Sequence, residues 1–208
     1  MDSAAITPLL PLKNLGDNAQ IAGVDEAGRG ALAGPVVAAA VILDPKFDIS
    51  LLKDSKRLSE TKRNQIAQQL MDSNSDIGIG IVTEKKIDDL NILNATLSAM
   101  KKAILKLKTK PSLSIIDGNH CPTIKNYTIK YQIKADQTIK SVSAASIIAK
   151  VTRDSIMTQF HTDPKFTKYN FIEHKGYGTQ SHYDALFKYG SSDIHRQSFN
   201  LSQQGQLF

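Results

Sequence analysis

The stretch from residue 21 to residue 43 constrains this chain more than any other. Two apolar runs, residues 21–25 and 36–43, are separated by a loop rich in small residues, 26–35. Short apolar runs bounded by glycines and turn residues read as strands buried on both faces. The first run ends in adjacent carboxylates, so residues 23–30 read Gly-Val-Asp-Glu-Ala-Gly-Arg-Gly. Two negative charges thus leave a buried strand together, immediately before a glycine turn.

The rest of the chain supplies what those strands pack against. Residues 76–83 place Ile77, Ile79 and Ile81 on one face of a third strand, and Ser59 is set to cap a helix running to about Met71, with Ile66 and Leu70 inward. From Ile87 the period becomes helical, with Leu90, Asn94, Leu97, Met100, Ile104 and Leu107 on one stripe until Pro111 ends the region. Residues 113–117 and about 128–135 read as two more strands. Residues 143–160 read as a helix with Ala144, Ile147, Ile148, Val151 and Ile156 in its apolar stripe, and residues 181–188 as a last helix. This order predicts an α/β fold, a mixed sheet covered by helices. No repeat or low-complexity linker interrupts it, so one domain over residues 18–200 is expected, followed by a flexible tail, 201–208.

Composition narrows the function classes only a little. With 41% hydrophobic and 22% charged residues among 208, the chain reads as an ordinary globular domain able to bury its own core. The single cysteine, Cys121, excludes an internal disulfide framework and fits a reducing cytoplasm. The first residues carry no basic start, and Pro8 and Pro11 interrupt their apolar stretch, a poor signal peptide. The longest apolar run, 35–43, is too short to span a bilayer. A net charge of +6 invites a polyanionic partner, although many basic proteins have none.

The chemistry rests on acids at strand ends. Asp25 and Glu26 end the first strand, Asp117 closes Leu-Ser-Ile-Ile, and Asp136 follows an alternating apolar run. If these strands are neighbours, all four acids converge at one edge of the sheet. Clustered carboxylates drive one another toward protonation, and a divalent cation relieves the repulsion. Oxygen-only ligands select hard ions such as Mg²⁺ or Mn²⁺, and two such ions suit phosphodiester cleavage. Taken one at a time, each acid reads more readily as an ordinary surface residue; only the adjacent pair Asp25 and Glu26 before a glycine turn stands level with that reading. Gly28, Gly30 and Ala33 imitate a dinucleotide-binding loop with Asp48 downstream, but Gly34, Pro35 and a β-rich run follow where that loop requires a helix. The glycines are better suited to exposing backbone N–H groups to a phosphate or sugar, with Arg29 as a charged contact.

Several segments together resemble the bacterial type 2 ribonucleases H (ribonuclease HII): residues 23–30, Asp-Ser-Lys-Arg-Leu-Ser at 54–59, Ile-Asp-Gly-Asn at 116–119 and Lys-Ala-Asp at 134–136. Ser-Ala-Ala-Ser-Ile-Ile-Ala-Lys at 143–150, His-Lys-Gly-Tyr-Gly at 174–178 and His-Arg-Gln-Ser-Phe at 195–199 continue the series in order. The resemblance spans residues 21–199 and implies a ribonuclease H-like fold, a five-stranded mixed sheet flanked by helices with a C-terminal helical extension. It implies that Asp25, Glu26, Asp117 and Asp136 are the active-site acids and hold one or two Mn²⁺ or Mg²⁺ ions. It also implies that Gly28, Arg29 and Gly30 sense the ribose 2′-hydroxyl, and that Tyr177 packs on the sugar beyond the ribonucleotide and recognises the RNA-to-DNA junction. The implied substrates are RNA–DNA hybrids and duplex DNA carrying a single ribonucleotide, cut on the 5′ side to leave 3′-hydroxyl and 5′-phosphate ends.

Further residues carry two readings each. Lys56, Lys150 and Arg153 sit in the matched segments as phosphate contacts or as solvated charges, and Ser146 either approaches the acids or merely permits close packing. Asp154, late in a helix, reads as a structural partner rather than a ligand. Lys101, Lys102, Lys106, Lys108 and Lys110 either track a duplex backbone or form a solvated helix face. Cys121 reads as loop filler beside His120, and His120, His174, His182 and His195 lack a compact metal spacing, so zinc is not expected. The last residues, Gln204 to Leu207 and Phe208, resemble the Gln-x-x-Leu-Phe peptides that dock into the bacterial sliding clamp; the plainer reading is a frayed tail. A monomer is expected. The type 3 enzymes carry an extra N-terminal domain, for which the residues before the first strand leave no room. The alternatives are a hybrid-binding module without chemistry and a resolvase- or integrase-type nuclease, which would need neither the Gly28–Gly30 loop nor Tyr177.

Overall fold

The computed structural model of the chain describes residues 20–52 and 58–202. Five strands form one sheet: β1 (Ile21–Ala27), β2 (Val36–Ile42), β3 (Asp76–Val82), β4 (Leu113–Asp117) and β5 (Ile129–Gln132), in the spatial order β3-β2-β1-β4-β5. The first three form an antiparallel meander, while β4 and β5 add on parallel to β1. The sheet is therefore mixed, as the sequence predicts, and β1 lies at its centre.

Every residue of β2 is buried because both faces are covered. Its even-numbered side chains, Val36, Ala38 and Ala40, join Val24, Ile116 and the inner face of a long helix, α3 (Ile92–Leu105). Its odd-numbered Ala39 and Val41 meet Ile66 and Leu70 of α1 (Glu60–Asp72) and Ala144, Ile147 and Ile148 of α5 (Lys140–Thr162). Ser59 caps α1 as expected, accepting from the Lys62 amide at 3.2 Å. The small residues on β3 let α3 come unusually close. A Cβ added at Gly80 would lie 2.0 Å from the Ala99 carbonyl oxygen, so only glycine fits there. This reverses part of the sequence expectation for β3: Ile77 and Ile79 pack against the α1 and α5 layer, but Ile81 is exposed, and the most buried face carries Gly78, Gly80 and Val82.

Three other expectations need correction. The helical stripe from Ile87 to Leu107 is two helices, α2 (Glu84–Leu90) and α3, because Asn91 turns to φ 64° and caps α3 by accepting from the Asn94 amide. The fifth strand stops at Gln132, not near residue 135. Lys134 adopts a left-handed conformation and starts a short helix, α4 (Ala135–Thr138), so Asp136 lies in a helical first turn rather than at a strand end. Finally, α5 begins three residues earlier than its apolar stripe suggests, at Lys140, and runs to Thr162. Among the described residues no helix is long and apolar enough to cross a membrane.

Beyond α5 the chain adds the expected helical extension: a 3₁₀ turn (Thr167–Tyr169), α6 (Phe171–His174) and α7 (Gln180–Tyr189). Its core is aromatic and polar at once. Tyr169 and Phe171 stack at 5.5 Å, His174 stacks on His182 at 4.3 Å, and His182 meets His195 with ring nitrogens 3.0 Å apart. Burial pushes His182 and His195 down to a pKa of about 4, and lowers His174 as well.

Histidine in an unfolded chain titrates near pH ~6.5. Between that value and about 4 the unfolded chain binds the more protons, so this part of the stability is complete above pH ~6.5 and declines as the pH falls toward 4. Buried carboxylates act with the opposite sign, so a His182→Phe, His195→Phe double variant serves as the reference. The wild-type melting temperature is expected to drop by more than about 5 °C between pH 7 and pH 4.5, and the variant's by clearly less. Parallel profiles would show that the histidines do not titrate on unfolding.

Candidate active site

The parallel pairing of β1 with β4 creates the site. Val24 lies opposite Ile116, so the residues that follow them, Asp25 and Asp117, reach the same edge of the sheet on neighbouring strands. Asp25 is 6% exposed and its carboxyl is pushed well above the usual range, first by burial, then by the charges of Glu26 and Asp117. The Glu26 amide (2.7 Å) and the Ser146 hydroxyl on α5 donate to it and offset part of that rise. Glu26 is raised too, by burial and by Asp117, against the opposing pull of Arg29, whose Nη1 lies 3.3 Å from Glu26 Oε1. The other oxygen, Oε2, is buried with no hydrogen-bond partner.

The remaining acids are held from α4. The Ala135 amide donates to Asp117 Oδ1 at 2.8 Å, which fixes the start of α4 against the end of β4, and Asp136 follows directly, 5% exposed. Three of the expected acids thus share one electrostatic field, with the fourth one residue from a hydrogen bond to that cluster. Among the described residues no three His, Cys, Asp or Glu side chains stand close enough to form a finished metal cage. The donor set nevertheless suits a hard divalent cation: oxygen only, desolvated, mutually repelling, and with a buried carboxylate oxygen left unsatisfied.

Beside the acids lies a pocket of about 250 Å³ lined by Glu26, Gly28, Arg63, Ser146, Lys150 and Tyr177, among others. It brings Ser146 and Lys150 of α5 and Tyr177 of the α6–α7 turn against the end of the first strand. The Tyr177 ring is flanked by two cations, Lys150 Nζ at 5.0 Å and the Arg153 guanidinium at 4.9 Å from its centroid. Lys150 also pairs with Asp154 at 2.8 Å, which gives Asp154 the structural role expected of it. Ser146 approaches the acids rather than merely easing packing. Gly30 lies exposed on the loop, and Lys56 falls outside the described residues.

Arg153 corrects both of its sequence readings. It is neither a phosphate contact nor a solvated charge; it is fully buried, donating to the carbonyls of Pro35 (3.0 Å), Lys175 (2.8 Å) and Ala33 (3.0 Å). Arg196, which the sequence reading did not single out, is its equally buried companion. It donates to the carbonyls of Gly28 (2.7 Å), Arg29 (2.8 Å) and Gly34 (2.9 and 3.0 Å). Together the two guanidiniums hold the loop after β1 in a single shape. Gly28 is glycine for the same reason: its φ is 94°, and a Cβ there would lie 2.0 Å from Arg153 Nε. The only sequence signal for Arg196 was its place in the segment 195–199. For Arg63, which donates to the Leu58 carbonyl at 2.8 Å, nothing distinguished it from other charges on α1.

Lys101, Lys102, Lys106, Lys108 and Lys110 are all exposed; Lys102 reaches the Ile81 carbonyl (3.2 Å) and Lys110 lies over Tyr127 (5.2 Å). Cys121 is half-buried against the α3-side core, in keeping with a filling role.

Known proteins share this architecture and sequence. The chain is 51% identical over 180 residues to ribonuclease HII of Pelagibacter ubique, covering 86% of this chain and 95% of that protein. Its fold matches the RNase HII solved in a PCNA:RNase HII complex from Archaeoglobus fulgidus, with a TM-score of 0.72, 25% identity, and coverage of 90% and 98%. It likewise matches the ribonuclease H2 from Pyrococcus horikoshii OT3, with a TM-score of 0.70, 29% identity, and coverage of 88% and 94%. The family model for Ribonuclease HII matches residues 22–202, from the first strand through the segment that carries Arg196, and the chain therefore belongs to the ribonuclease HII family, the type 2 ribonucleases H.

Proposed function

We propose that this ribonuclease H hydrolyses the RNA strand of RNA–DNA hybrids and also cuts duplex DNA on the 5′ side of a single embedded ribonucleotide, leaving 3′-hydroxyl and 5′-phosphate ends. Its cellular work is then the removal of misincorporated ribonucleotides. The observation that carries the reading is the convergence of Asp25, Glu26 and Asp117 beside a loop whose shape is fixed by buried arginines.

In this reading Asp25, Glu26, Asp117 and Asp136 hold Mg²⁺ or Mn²⁺. When bound, a pair of such ions supplies the positive charge that acidifies an attacking water and offsets the charge of the departing 3′ oxygen. The chain's own groups do the rest. Ser146 orients Asp25 through its hydroxyl. Gly28, Arg29 and Gly30 present backbone groups and a guanidinium to the ribose 2′-hydroxyl, the atom that separates RNA from DNA. Arg196 occupies the carbonyls of Gly28 and Arg29, and the amides of Ala31 to Gly34 bond within the protein, so in this reading recognition falls to the amides of Gly28, Arg29 and Gly30. Lys150, together with Lys56, neutralises phosphate, and Tyr177 stacks on the sugar past the ribonucleotide. A backbone reader is suited to a substrate whose base sequence is irrelevant. The exposed lysines from Lys101 to Lys110 extend the phosphate track.

The tail from Gln204 to Phe208, outside the described residues, is proposed to dock on the sliding clamp by seating Leu207 and Phe208 in an apolar pocket. The archaeal relative solved with PCNA is a precedent for such a partner.

Asp25→Asn is expected to fold with an unchanged or raised melting temperature in the absence of metal, since it removes a desolvated, repelled charge. Its cleavage of an RNA–DNA hybrid should fall by at least ~10²–10³-fold, the scale on which lost electrostatic stabilisation is felt. Hybrid cleavage near the wild-type rate would remove the acids from the mechanism. Deleting residues 204–208 should abolish clamp binding, read by surface plasmon resonance, while leaving hybrid cleavage intact; undiminished binding would rule out the tail as the docking peptide.

A further inference from the structure

The buried histidines of the C-terminal extension do more than fill space, because their hydrogen bonds run in one direction. His182 Nδ1 lies 3.0 Å from the Tyr177 carbonyl, which can only accept, so Nδ1 carries the hydrogen. A neutral His182 then offers a lone pair at Nε2, which faces His195 Nε2 at 3.0 Å; the His195 nitrogen must carry the hydrogen. His195 Nδ1 is thereby left as an acceptor, and the Ser192 amide, which can only donate, points at it from 2.9 Å. Both ends of the chain are backbone groups of fixed polarity, and the two ends agree.

His174 obeys the same logic. The Gly176 amide donates to its Nδ1 at 3.2 Å, so its Nε2 donates to the Tyr169 carbonyl at 2.8 Å. His174 is stacked on His182, and the paired rings therefore grip two successive residues, Gly176 by its amide and Tyr177 by its carbonyl. The Gly176 carbonyl in turn accepts from Leu32 at 2.8 Å, in the loop that follows β1. Buried imidazoles among Tyr169 and Phe171 are costly unless every nitrogen is satisfied, and here every ring nitrogen of the three is. A purely space-filling core would have needed none of this polarity.

We propose that His182, directed by His195 and supported by His174, is a positioning residue for Tyr177: the one-way chain from the Ser192 amide to the Tyr177 carbonyl fixes the backbone that presents the tyrosine ring beside Glu26 and Lys150, and so sets the preference for the RNA-to-DNA junction. This rests on the role of Tyr177 proposed above. The chain has only one workable direction, since reversing it would require a carbonyl to donate. A proton added to His182 would set its Nε2–H against that of His195 and break the link, whereas one added to His195 would fall on Nδ1, beside the Ser192 amide (2.9 Å) and hydroxyl (2.7 Å).

Two substitutions separate positioning from packing. In His182→Asn the side-chain amide takes the place of Nδ1 and can still donate to the Tyr177 carbonyl. In His182→Gln the amide takes the place of Nε2, keeping the partner of His195 while abandoning that carbonyl. Both lose a ring from the core and should melt earlier than wild type by similar amounts. We expect His182→Gln to lower kcat on duplex DNA with one ribonucleotide by about ten-fold or more relative to a long hybrid, since small displacements of a positioned group are strongly felt. His182→Asn should recover most of that ratio. In a Tyr177→Ala background His182→Gln should change the ratio no further.

Nitrogen-15 NMR of the full-length, histidine-labelled wild-type protein at neutral pH gives a readout independent of substrate. His182 should appear as the Nδ1–H tautomer, and His174 and His195 as Nε2–H. An Nε2–H form of His182, or equal losses on both substrates in the Asn and Gln variants, would overturn the proposal. Should Tyr177→Ala itself leave the substrate ratio unchanged, the junction role of Tyr177 fails and this proposal falls with it. A Tyr177 effect without the Asn–Gln difference overturns the positioning role alone.

Discussion

Two guanidiniums buried against backbone carbonyls hold this molecule's working parts together. Arg153 and Arg196 come from the middle of α5 and from the segment after α7, yet both end on the loop between β1 and β2. A tight glycine turn leaves carbonyls that neither helix nor sheet satisfies, and an orphaned buried carbonyl costs about as much as a lost hydrogen bond. The arginine fork is suited to the task, since it places several donors in one rigid plane and keeps its charge. Burial and mutual repulsion pull Arg196 down to about 9, which still leaves it a cation at neutral pH. Through the Lys175 carbonyl, Arg153 also ties in the turn that carries Tyr177. The acids, the glycine loop and the tyrosine are therefore tied together by hydrogen bonds, although the C-terminal extension lies outside the sheet.

The acidic edge shows the opposite economy. Asp25 and Glu26 are desolvated and both are repelled by Asp117, while Arg29, Ser146 and backbone amides offset part of that cost. Such an arrangement is poor for stability and suited to a cation, which would supply the missing attraction without rearranging the strands. It survives because β1 is the central strand of a sheet whose β2 neighbour is buried on both faces. Packing elsewhere stabilises what the charges destabilise, a division common at functional sites.

Much of this was legible in the sequence. The apolar runs around residues 21–43 and 113–117 marked the central strands, and acids at their ends foretold a shared edge once the strands proved parallel neighbours. Where local signals were weak, the reading strayed. Asn91 breaks a helical stripe that periodicity alone cannot interrupt, because its left-handed backbone leaves no trace in hydrophobic spacing. Ile81 faces solvent because glycines, invisible to an apolar pattern, are what α3 presses upon. Asp136 lies in a helical turn that starts at Lys134 rather than at a strand end, next to the Ala135 amide that bonds Asp117. Arg153, Arg196 and the histidine chain were unreadable for a common reason: their partners are backbone carbonyls and amides from distant segments, which no spacing rule encodes.

The central claim is that this assembly recognises a ribonucleotide by its 2′-hydroxyl and cuts beside it with divalent metal. The most direct measurement uses a labelled DNA duplex with one ribonucleotide and an all-DNA duplex of the same sequence, each incubated with Mg²⁺, with Mn²⁺ and with a chelator. The account predicts a single cut 5′ to the ribonucleotide that requires metal, with the all-DNA duplex intact. Binding without cleavage would point to a hybrid-binding module, and cleavage of both duplexes to a general nuclease; either result would contradict it.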